Sequence, residues 1–438
     1  MHLHIGLDDT DSTNGGCTTY IAARLVERLN EVGTKFLDYP NIIRLNPNIP
    51  YKTRGNAAVA LRLETRDDMY DSIMQVVLDE VEKEGRIGEE NTDPAAVFLK
   101  GDPPRSVRKL ARLALCDLVP VADALEIIRE SSAEATSYGT NMGLVGALAA
   151  IGHTLEQDHT FEFIAYRRRE NYGSQRLVDG ESVKRMNRRT HPLTFNNYDD
   201  TNKRVLITPH GPDPVLLGIR GETSEIVRRA FHMLTIREPV ERWVVFRTNH
   251  GTEAHLDAAK GNGVKVNAPV VVSGQVDDLP KRGIGGHAFF PIHTTQGEFT
   301  CAAYEPTGHL RDIIMQLIPG DQVTVYGGIP RRHGLTINLE KLEILTLRSR
   351  IFTQNPQCPR CGKRLKSAGS EKGFKCDRCA LVVREQEKDQ VRIARKLVPG
   401  LYLPESKAHR HLTKPLSRYG QEKNKWNHKA PSGEWHDP

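Results

Sequence analysis

The sequence lacks the features that mark membrane, secreted and repeat proteins. None of the apolar runs in its 438 residues approaches the roughly 18 residues that a membrane-spanning helix needs. Two acids, Asp8 and Asp9, interrupt the apolar core that a secretory signal peptide would require. The chain has no fixed-period repeat, no low-complexity tract and no Walker-type phosphate-binding loop. We therefore expect a cytosolic protein whose nucleotide site, if it has one, is built from other motifs.

The seven cysteines do not form a disulfide framework. Three of them lie far apart along the chain: Cys17, Cys116 and Cys301. The other four form two CxxC pairs with 14 residues between the pairs: Cys358, Cys361, Cys376 and Cys379. Four cysteines at this spacing can surround one Zn²⁺ and leave no open coordination position. The spacing predicts a structural zinc ribbon over 355–383, with free or redox thiols as the alternative.

Charge separates a near-neutral body from a basic C-terminal end. Residues 355–438 carry 19 Lys or Arg against 9 Asp or Glu, whereas the rest of the chain carries 42 against 46. This asymmetry indicates a polyanionic partner, most simply a nucleic acid. A solvated basic tail over 384–438 is the alternative. The last 40 residues are rich in Lys, Pro, Arg and His, a composition compatible with ordering only on a partner.

The pattern of predicted strands and helices changes near residue 265. Before it, strands interleave with helices, as in a strand at 2–7, a helix at 18–30 and strands at 57–64 and 95–99. After it, five short strand-like runs occupy 266–345. Five strands in about 80 residues fit a Greek-key barrel of the OB type, with another small β-barrel or β-sandwich as the alternative. The hydrophobic content of 38% supports several cores, so the chain is predicted to be a multidomain α+β protein.

Three carboxylates, Asp8, Asp9 and Asp11, follow the first predicted strand. Strand ends are where α/β sheets place ligands, and clustered carboxylates repel one another unless a cation lies between them. Mg²⁺ prefers such hard oxygen ligands together with phosphate oxygens. The spacing alone leaves two interpretations open: a Mg²⁺–phosphate site, or a turn with solvated acids.

Thr18 begins the helix that follows this cluster. Gly15 and Gly16, just before it, allow a backbone nest whose free amides favour phosphate. The Thr18 hydroxyl is therefore either a simple N-cap or a phosphoryl acceptor close to the metal. Physical chemistry alone favours the N-cap.

Three further segments carry weaker signals. Lys52, Arg54 and Gly55 lie in a basic loop that could neutralise phosphate, and a solvated hairpin is the alternative. Gly143 and Gly146 begin a predicted helix, where packing glycines are the default and phosphate contacts the alternative. The segment 218–222, Gly-Ile-Arg-Gly-Glu, ends a predicted strand and favours a salt-bridged turn.

These motifs together resemble the archaeal isoleucine-tRNA 2-agmatinylcytidine synthetases. The resemblance rests on GLDDTDSTNGGCTTY at 6–20 and on RLNPNIPYKTRGN at 44–56, which are long and specific. It also includes GLVGALAAIG at 143–152 and GIRGE at 218–222. The OB-like stretch and the four-cysteine segment follow in the expected order, so the resemblance covers essentially the whole chain.

The resemblance implies an ATP-dependent ligase that acts on the isoleucine tRNA with a CAU anticodon. Such an enzyme replaces the C2 oxo group of the wobble cytidine with agmatine, so that the base pairs with A. The γ-phosphoryl group of ATP activates the C2 oxygen, and AMP and two phosphates are released. A threonine of the enzyme is also phosphorylated.

The family's functional residues map onto this chain by motif. Thr18 corresponds to the autophosphorylated threonine. Asp8, Asp9 and Asp11 correspond to the Mg²⁺-binding and catalytic carboxylates. The implied ATP contacts are Lys52, Arg54, Gly55, Asn56, Gly143 and Gly146. The guanidinium of agmatine pairs best with a carboxylate, and Asp213 and Glu222 are the candidates.

The resemblance also implies four domains and a basic tail. We predict a kinase-like α/β domain from 1–61 and 131–199, and a ferredoxin-like domain from 62–130 and 200–258. An OB fold follows at 265–347 and the zinc ribbon at 355–383. The alternative to this enzyme is a non-catalytic protein that binds single-stranded nucleic acid through the barrel and the ribbon. A protein-kinase-like activity is a third possibility.

Overall fold

The structure is a computed structural model that describes residues 1–52, 55–331, 334–370, 372–424 and 430–437. Helices within this part of the chain are α1 (Thr18–Glu31), α2 (Tyr70–Glu84), α3 (Arg105–Ala114), α4 (Val121–Glu130), α5 (Met142–Gly152), α6 (Gly180–Thr190), α7 (Ser224–Phe231), α8 (Ala254–Ala259) and α9 (Leu310–Ile314).

The first twelve strands of the described chain build one large sheet and one small one. They are β1 (His2–Asp8), β2 (Lys35–Phe36), β3 (Asn41–Arg44), β4 (Ala57–Glu64), β5 (Ala95–Lys100), β6 (Glu134–Ser137), β7 (Thr160–Arg167), β8 (Thr194–Phe195), β9 (Tyr198–Asp199), β10 (Arg204–Val205), β11 (Val215–Gly221) and β12 (Val240–Thr248). The large sheet has the order β6-β5-β1-β4-β3-β12-β7-β11-β8, with β2 beside β4, while β9 and β10 pair separately. The predicted strands at 2–7, 57–64 and 95–99 and the helix at 18–30 are confirmed.

Helices cover both faces of the half-sheet that contains β1, β4 and β5. Leu3, Ile5 and Leu7 alternate along β1 toward the core shared with α1 and α2, where they are fully buried. On the other face Gly6 lies against α5, so closely that a Cβ atom at Gly6 would stand 2.0 Å from the carbonyl oxygen of Ala147. This contact holds the middle of α5 beside the end of β1.

The second half-sheet contains β7, β8, β11 and β12, with α6 and α7. Its chain order is strand, helix, strand, strand, helix, strand, and its order in the sheet is β12-β7-β11-β8. The two halves join where β3 and β12 pair in parallel. Strand pairing therefore groups 62–130 with 1–61 and 200–258 with 160–167. This differs from the grouping that we predicted, because sequence pattern identifies strands but not their neighbours.

A closed barrel follows the large sheet. Its strands are β13 (Pro269–Val276), β14 (Lys281–Arg282), β15 (Ala288–Thr294), β16 (Gly297–Ala303), β17 (Gln322–Gly328) and β18 (Thr336–Thr346). The five longer strands have the order β13-β17-β18-β16-β15, and β15 pairs back with β13 to close the barrel. Phe290, Ile292 and Val323 are among the side chains that fill it. The five strands predicted over 266–345 are confirmed.

The remaining strands form the four-cysteine module and return the chain to the body. They are β19 (Arg350–Gln354), β20 (Lys366–Ser367), β21 (Phe374–Lys375), β22 (Val382–Val383), β23 (Asp389–Ile393), β24 (Gly400–Tyr402) and β25 (His436–Asp437). β19 pairs with β23, and the three-stranded β20-β21-β22 sheet lies between them in the chain.

The C-terminal segment beyond the four-cysteine module packs on the rest of the protein. β24 pairs with β18 of the barrel, and β25 pairs with β12 of the large sheet. Trp435 lies edge-on to Phe36 and Tyr39, with ring centroids 5.3 and 6.1 Å away. A solvated tail is therefore the wrong interpretation for the described part of 400–437. The helices of the described chain include none that is long and apolar enough to cross a membrane.

Candidate functional site

A cavity of about 1020 Å³ lies where the two half-sheets and the C-terminal segment meet. Most of the residues predicted from the sequence line it, namely Asp8, Asp9, Asp11, Thr18, Lys52, Gly55, Asn56, Gly143, Gly146 and Asp213. Glu222 does not line it. Arg54 lies outside the described residues. Residues far apart in the chain thus converge on one chamber.

Two of the carboxylates are held where their charge is unfavourable. Burial, and next the neighbouring Asp9 carboxylate, raise the pKa of Asp8 well above its usual value. Burial, and next repulsion from Asp11, raise the pKa of Asp9 to about 7. Asp9 has a left-handed backbone, with φ of 54°, and its Oδ2 accepts a hydrogen bond of 3.1 Å from the Asp93 amide. A cation beside these groups would relieve the repulsion.

The raised pKa of Asp9 predicts a pH-dependent stability in magnesium-free buffer. The folded chain keeps the Asp9 proton up to about pH 7, whereas the ordinary value is 3.8. Folding therefore takes up a proton between these pH values, and stability falls as the pH rises through this interval. We expect Asp9→Asn to have a higher thermal midpoint than the wild type near pH 8, with the difference shrinking toward about pH 5. Calorimetry in zinc-containing buffer checks this, and a pH-independent difference would contradict it.

Thr18 is the first residue of α1 and lies in the cavity wall. The N-cap position belongs to Cys17, whose side chain makes no capping hydrogen bond. The N-cap interpretation of Thr18 is therefore wrong. The Thr18 hydroxyl oxygen accepts a hydrogen bond of 3.0 Å from the Thr10 hydroxyl. This contact leaves the Thr18 proton to be donated, as a phosphoryl acceptor requires.

Asp93 is a fourth carboxylate of this wall, and sequence pattern did not reveal it. Its Oδ2 accepts hydrogen bonds from the Met142 amide at 2.6 Å and from the Thr140 hydroxyl at 2.5 Å. Asp93 therefore caps the start of α5 and fixes that helix beside Asp9. Its other oxygen, Oδ1, is buried and has no hydrogen-bond partner among the described residues. No local motif marks Asp93, because its partners come from distant segments.

Gly143 and Gly146 allow α5 to approach the acidic wall. A Cβ atom at Gly146 would lie 1.7 Å from Oδ2 of Asp8, and one at Gly143 would lie 2.2 Å from the Asp93 carbonyl oxygen. Both glycines thus have the packing role that was the default interpretation. They also border the cavity, so the predicted ATP contact stays a prediction.

The basic loop also reaches the cavity. Burial, and next the Arg410 charge, lower the pKa of Lys52. Asn56 has a left-handed backbone, with φ of 43°, and its side-chain amide donates a 2.8 Å hydrogen bond to the Asn46 carbonyl. A Cβ atom at Gly55 would lie 2.8 Å from both Nη1 of Arg44 and Nε2 of His411. Gly55 therefore makes room for two side chains of this protein.

The two predicted agmatine ligands have different surroundings. Asp213 lines the cavity, where its carboxylate accepts a 3.1 Å hydrogen bond from the Val215 amide and lies 3.4 Å from Arg176. Glu222 instead bonds Arg418 and Lys423 of the C-terminal segment, each at 2.6 Å. The prediction of Glu222 as an agmatine ligand is therefore corrected: it fastens the C-terminal segment. The salt-bridged turn at 218–222 is also wrong, since Arg220 pairs with Glu162.

Arg418→Gln is expected to lower the free energy of unfolding by about 3–5 kcal/mol, because it removes the buried guanidinium that pairs with Glu222 and Asp158. Arg418 is fully buried and bonds Glu222, Asp158 and the Gly251 carbonyl. Urea denaturation measures the loss, with the exposed Arg237→Gln as control. The KM for agmatine should stay unchanged. A stable variant with a raised KM would return Glu222 to the agmatine site.

The four cysteines form the second chemical centre. Their sulfur atoms all lie within 4.8 Å of one another, the one such set of three or more His, Cys, Asp or Glu found in the described chain. The oxygens of Asp8, Asp9 and Asp11 do not converge this closely. Amides of Cys379 and Arg378 lower the pKa of Cys376 to about 6, which favours the thiolate. Four sulfur donors at this separation fit one Zn²⁺.

Fold and site together define a class: a multidomain protein that joins an acidic, helix-backed cavity to a β-barrel and a basic four-cysteine zinc ribbon. Family models match at 4–69 (TiaS TCKD domain), 141–255 (TiaS FLD domain) and 355–397 (TiaS C-terminal zinc ribbon domain). The chain belongs to the TiaS family, the isoleucine-tRNA 2-agmatinylcytidine synthetases, which confirms the resemblance seen in the sequence.

Two relatives named TiaS match this chain over nearly its whole length. The TiaS of Pyrococcus horikoshii is 41% identical over 95% of this chain and 97% of its own. The TiaS of Methanocaldococcus jannaschii is 40% identical over 94% of this chain and 98% of its own. Among solved structures, the complex of TiaS with its isoleucine tRNA and ATP matches with a TM-score of 0.87 at 39% identity, over 95% of this chain and 97% of that one. The complex of TiaS with the same tRNA, AMPCPP and agmatine matches with a TM-score of 0.84 at 37% identity, with the same coverage.

Proposed function

We propose that this protein is an ATP-dependent ligase that attaches agmatine to C2 of the wobble cytidine in AUA-decoding isoleucine tRNA. The names of its relatives support this activity, as do solved complexes of TiaS with isoleucine tRNA and ATP, and with that tRNA, AMPCPP and agmatine. One observation carries the proposal to this chain: Asp8, Asp9, Asp11 and Thr18 line the same cavity as the basic loop and Asp213.

In this mechanism the acidic wall positions the nucleotide. We propose Asp8, Asp9 and Asp11 as the residues that hold Mg²⁺, because burial and mutual repulsion raise the pKa values of Asp8 and Asp9, a cost that a cation would relieve. Bound Mg²⁺ would neutralise phosphate charge. Lys52, Gly55 and Asn56 line the same cavity and are proposed to contact ATP, as is Arg54.

Phosphorylation of the C2 oxygen supplies the leaving group that the reaction requires. The C2 oxygen of cytosine is a poor leaving group, and transfer of the γ-phosphoryl group of ATP converts it into phosphate. The amine of agmatine then attacks C2, the C2–oxygen bond breaks, and phosphate leaves. The γ-phosphoryl transfer leaves ADP, and we propose that water then cleaves its α–β phosphoanhydride bond to give AMP and the second phosphate. We propose that Thr18 accepts the γ-phosphoryl group of a separate ATP molecule. Asp213 is the carboxylate proposed to face the agmatine guanidinium.

Each structural unit has a proposed assignment. The second half-sheet has the β-α-β-β-α-β connectivity of a ferredoxin-like domain. The barrel pairs β16 and β18 in parallel and places α9 between β16 and β17, which supports an OB fold. The first half-sheet is proposed as the kinase-like domain.

The ribbon and barrel would hold tRNA, whose wobble base must leave its stack to react. A cytoplasmic location fits these substrates.

Transfer of label from γ-labelled ATP tests the proposal. Wild-type protein with tRNA, agmatine and Mg²⁺ should release AMP, label itself, and incorporate agmatine into the tRNA. Thr18→Val should lose the protein label, whereas the exposed Thr13→Val keeps it. No AMP and no label would favour a non-catalytic nucleic-acid-binding protein. Label on protein without agmatine in tRNA would favour a protein kinase.

A further inference from the structure

A second charged cluster lies in the cavity, on the strands where the two half-sheets meet. Arg44 ends β3, Glu162 lies on β7 and Arg220 lies on β11, while His250 follows β12. His411 of the C-terminal segment completes the cluster, and all five residues line the cavity. Glu162 and Arg220 are direct cross-strand partners, so their side chains share one face of the sheet. None of the five was predicted from the sequence as a site residue, and Arg220 was assigned only to a salt-bridged turn.

The two arginines share a single carboxylate. Nε of Arg220 donates a 2.9 Å hydrogen bond to Oε1 of Glu162. Nη2 of Arg44 lies 3.8 Å from Oε2 of the same carboxylate, which is too far for a hydrogen bond. Nε of Arg44 is buried and has no hydrogen-bond partner within the described ranges. The guanidinium of Arg44 therefore has donors left for a ligand.

The backbone holds Arg44 firmly in this position. Its amide donates a 2.8 Å hydrogen bond to the side chain of Asn249, whose amide group donates a 2.9 Å hydrogen bond back to the Arg44 carbonyl. Asn249 is fully buried. Gly218 makes room for the carboxylate, since a Cβ atom there would lie 3.0 Å from Oε1 of Glu162. The positions of these charged side chains are therefore fixed by buried contacts, unlike those of mobile surface charges.

The cluster carries an excess of positive charge. Despite burial, the Arg220 charge is the main cause that keeps the pKa of Glu162 well below its usual value. Burial, and next the Arg220 charge, lower the pKa of His250 to about 4, and the Arg44 charge is the main cause that lowers that of His411. Both histidines are therefore neutral near pH 7, which leaves two guanidinium groups against one carboxylate. A largely buried site with this balance favours an anion.

We infer that Arg44 and Arg220 clamp the phosphate chain of ATP in the cavity that the acidic wall also lines. This rests on the proposed function. Arg44 lies beside the basic loop, since a Cβ atom at Gly55 would stand 2.8 Å from its Nη1, and it lines the same cavity as Asp11 and Thr18. The clamp therefore shares one cavity with the proposed metal ligands and the proposed phosphoryl acceptor. Paired guanidinium groups bind phosphate oxygens through charge-assisted hydrogen bonds.

Nucleotide binding by the full-length protein tests the inference. We expect Arg44→Gln and Arg220→Gln each to weaken MgATP binding by about 10- to 100-fold, because each loses charge-assisted hydrogen bonds. AMP binding should change little. Arg108→Gln is the matched control, since Arg108 is exposed and paired with Glu156. In the wild type, inorganic tripolyphosphate should displace ATP, which tests the clamp even if a variant fails to fold. Arg44→Lys, which keeps the charge, should lose less affinity than Arg44→Gln.

Several results would overturn the clamp. Folded Arg44→Gln that binds MgATP as the wild type does would contradict it, as would failure of tripolyphosphate to compete. Lost tRNA affinity with unchanged ATP affinity would assign the arginines to a tRNA phosphate instead. A different result would contradict the proposed function alone. The wild-type protein would bind ATP, AMP and tripolyphosphate as expected but add no agmatine to tRNA, and the clamp would stand.

Discussion

Asp9→Asn is expected to lose agmatine incorporation by at least about 100-fold, the scale on which removal of one preorganised charge-stabilising group slows an enzyme. The substitution keeps the shape of the side chain and removes its charge. Asparagine tolerates the left-handed backbone of residue 9, with φ of 54°. Its amide oxygen can still accept the hydrogen bond that the Asp93 amide donates to Asp9. The expected loss is therefore one of metal and phosphate handling, not of folding.

Radiolabelled agmatine incorporated into tRNA measures this loss, and filter binding measures tRNA affinity, which should not change. Asp123→Asn is the matched control, because Asp123 is an exposed acid on α4, outside the cavity. An Asp9→Asn variant that retained most of its activity would remove the acidic wall from the mechanism. Loss of tRNA affinity in step with activity would assign Asp9 a structural role.

Cys376→Ala is expected to unfold the zinc ribbon and to weaken tRNA binding by at least about tenfold near physiological salt. The apolar core of the ribbon is small, with Leu365 and Phe374 beside the cysteines. Structural zinc supplies about 10–16 kcal/mol in comparable modules, which such a core cannot replace. The module is densely basic, and an unfolded ribbon no longer presents those charges together: Arg360, Lys363, Arg364, Lys366, Lys372, Lys375 and Arg378.

ATP binding by Cys376→Ala should stay near the wild-type value, because the cavity is built by other parts of the chain. Zinc content, tRNA affinity and ATP affinity are measured on the same preparation. Cys116→Ala serves as control, since Cys116 is also a buried free cysteine but lies outside the ribbon. Equal losses of ATP and tRNA binding would count against a ribbon dedicated to RNA.

The sequence predicted those strands and helices whose residue pattern lies within the element itself. Alternation along β1, helical spacing in α1 and the five barrel runs each depend on neighbouring residues, and the structure confirms them. The paired CxxC motifs likewise predicted the cluster of four sulfurs. The acidic triplet was predicted as a site because it follows a strand end, and Thr18 because it begins the next helix; both stay predictions.

Contacts between distant segments could not be predicted in the same way. Asp93 meets Asp9 and α5 only through folding. The Arg44 and Glu162 cluster depends on the order of strands in the sheet. The sequence suggested Glu222 as a ligand for agmatine. In the structure its carboxylate accepts a hydrogen bond from Arg418, almost 200 residues later. Charge composition alone could not show that the basic C-terminal segment packs on the catalytic body.

Crystals grown with Mn²⁺ in place of Mg²⁺ and a non-hydrolysable ATP analogue test the central claim most directly, since anomalous scattering locates Mn²⁺ unambiguously. The account predicts a Mn²⁺ peak bonded to oxygens of Asp8, Asp9 or Asp11 and to the phosphate chain, within reach of the Thr18 hydroxyl. A nucleotide bound elsewhere, or a metal peak with these three side chains directed into solvent, would contradict it.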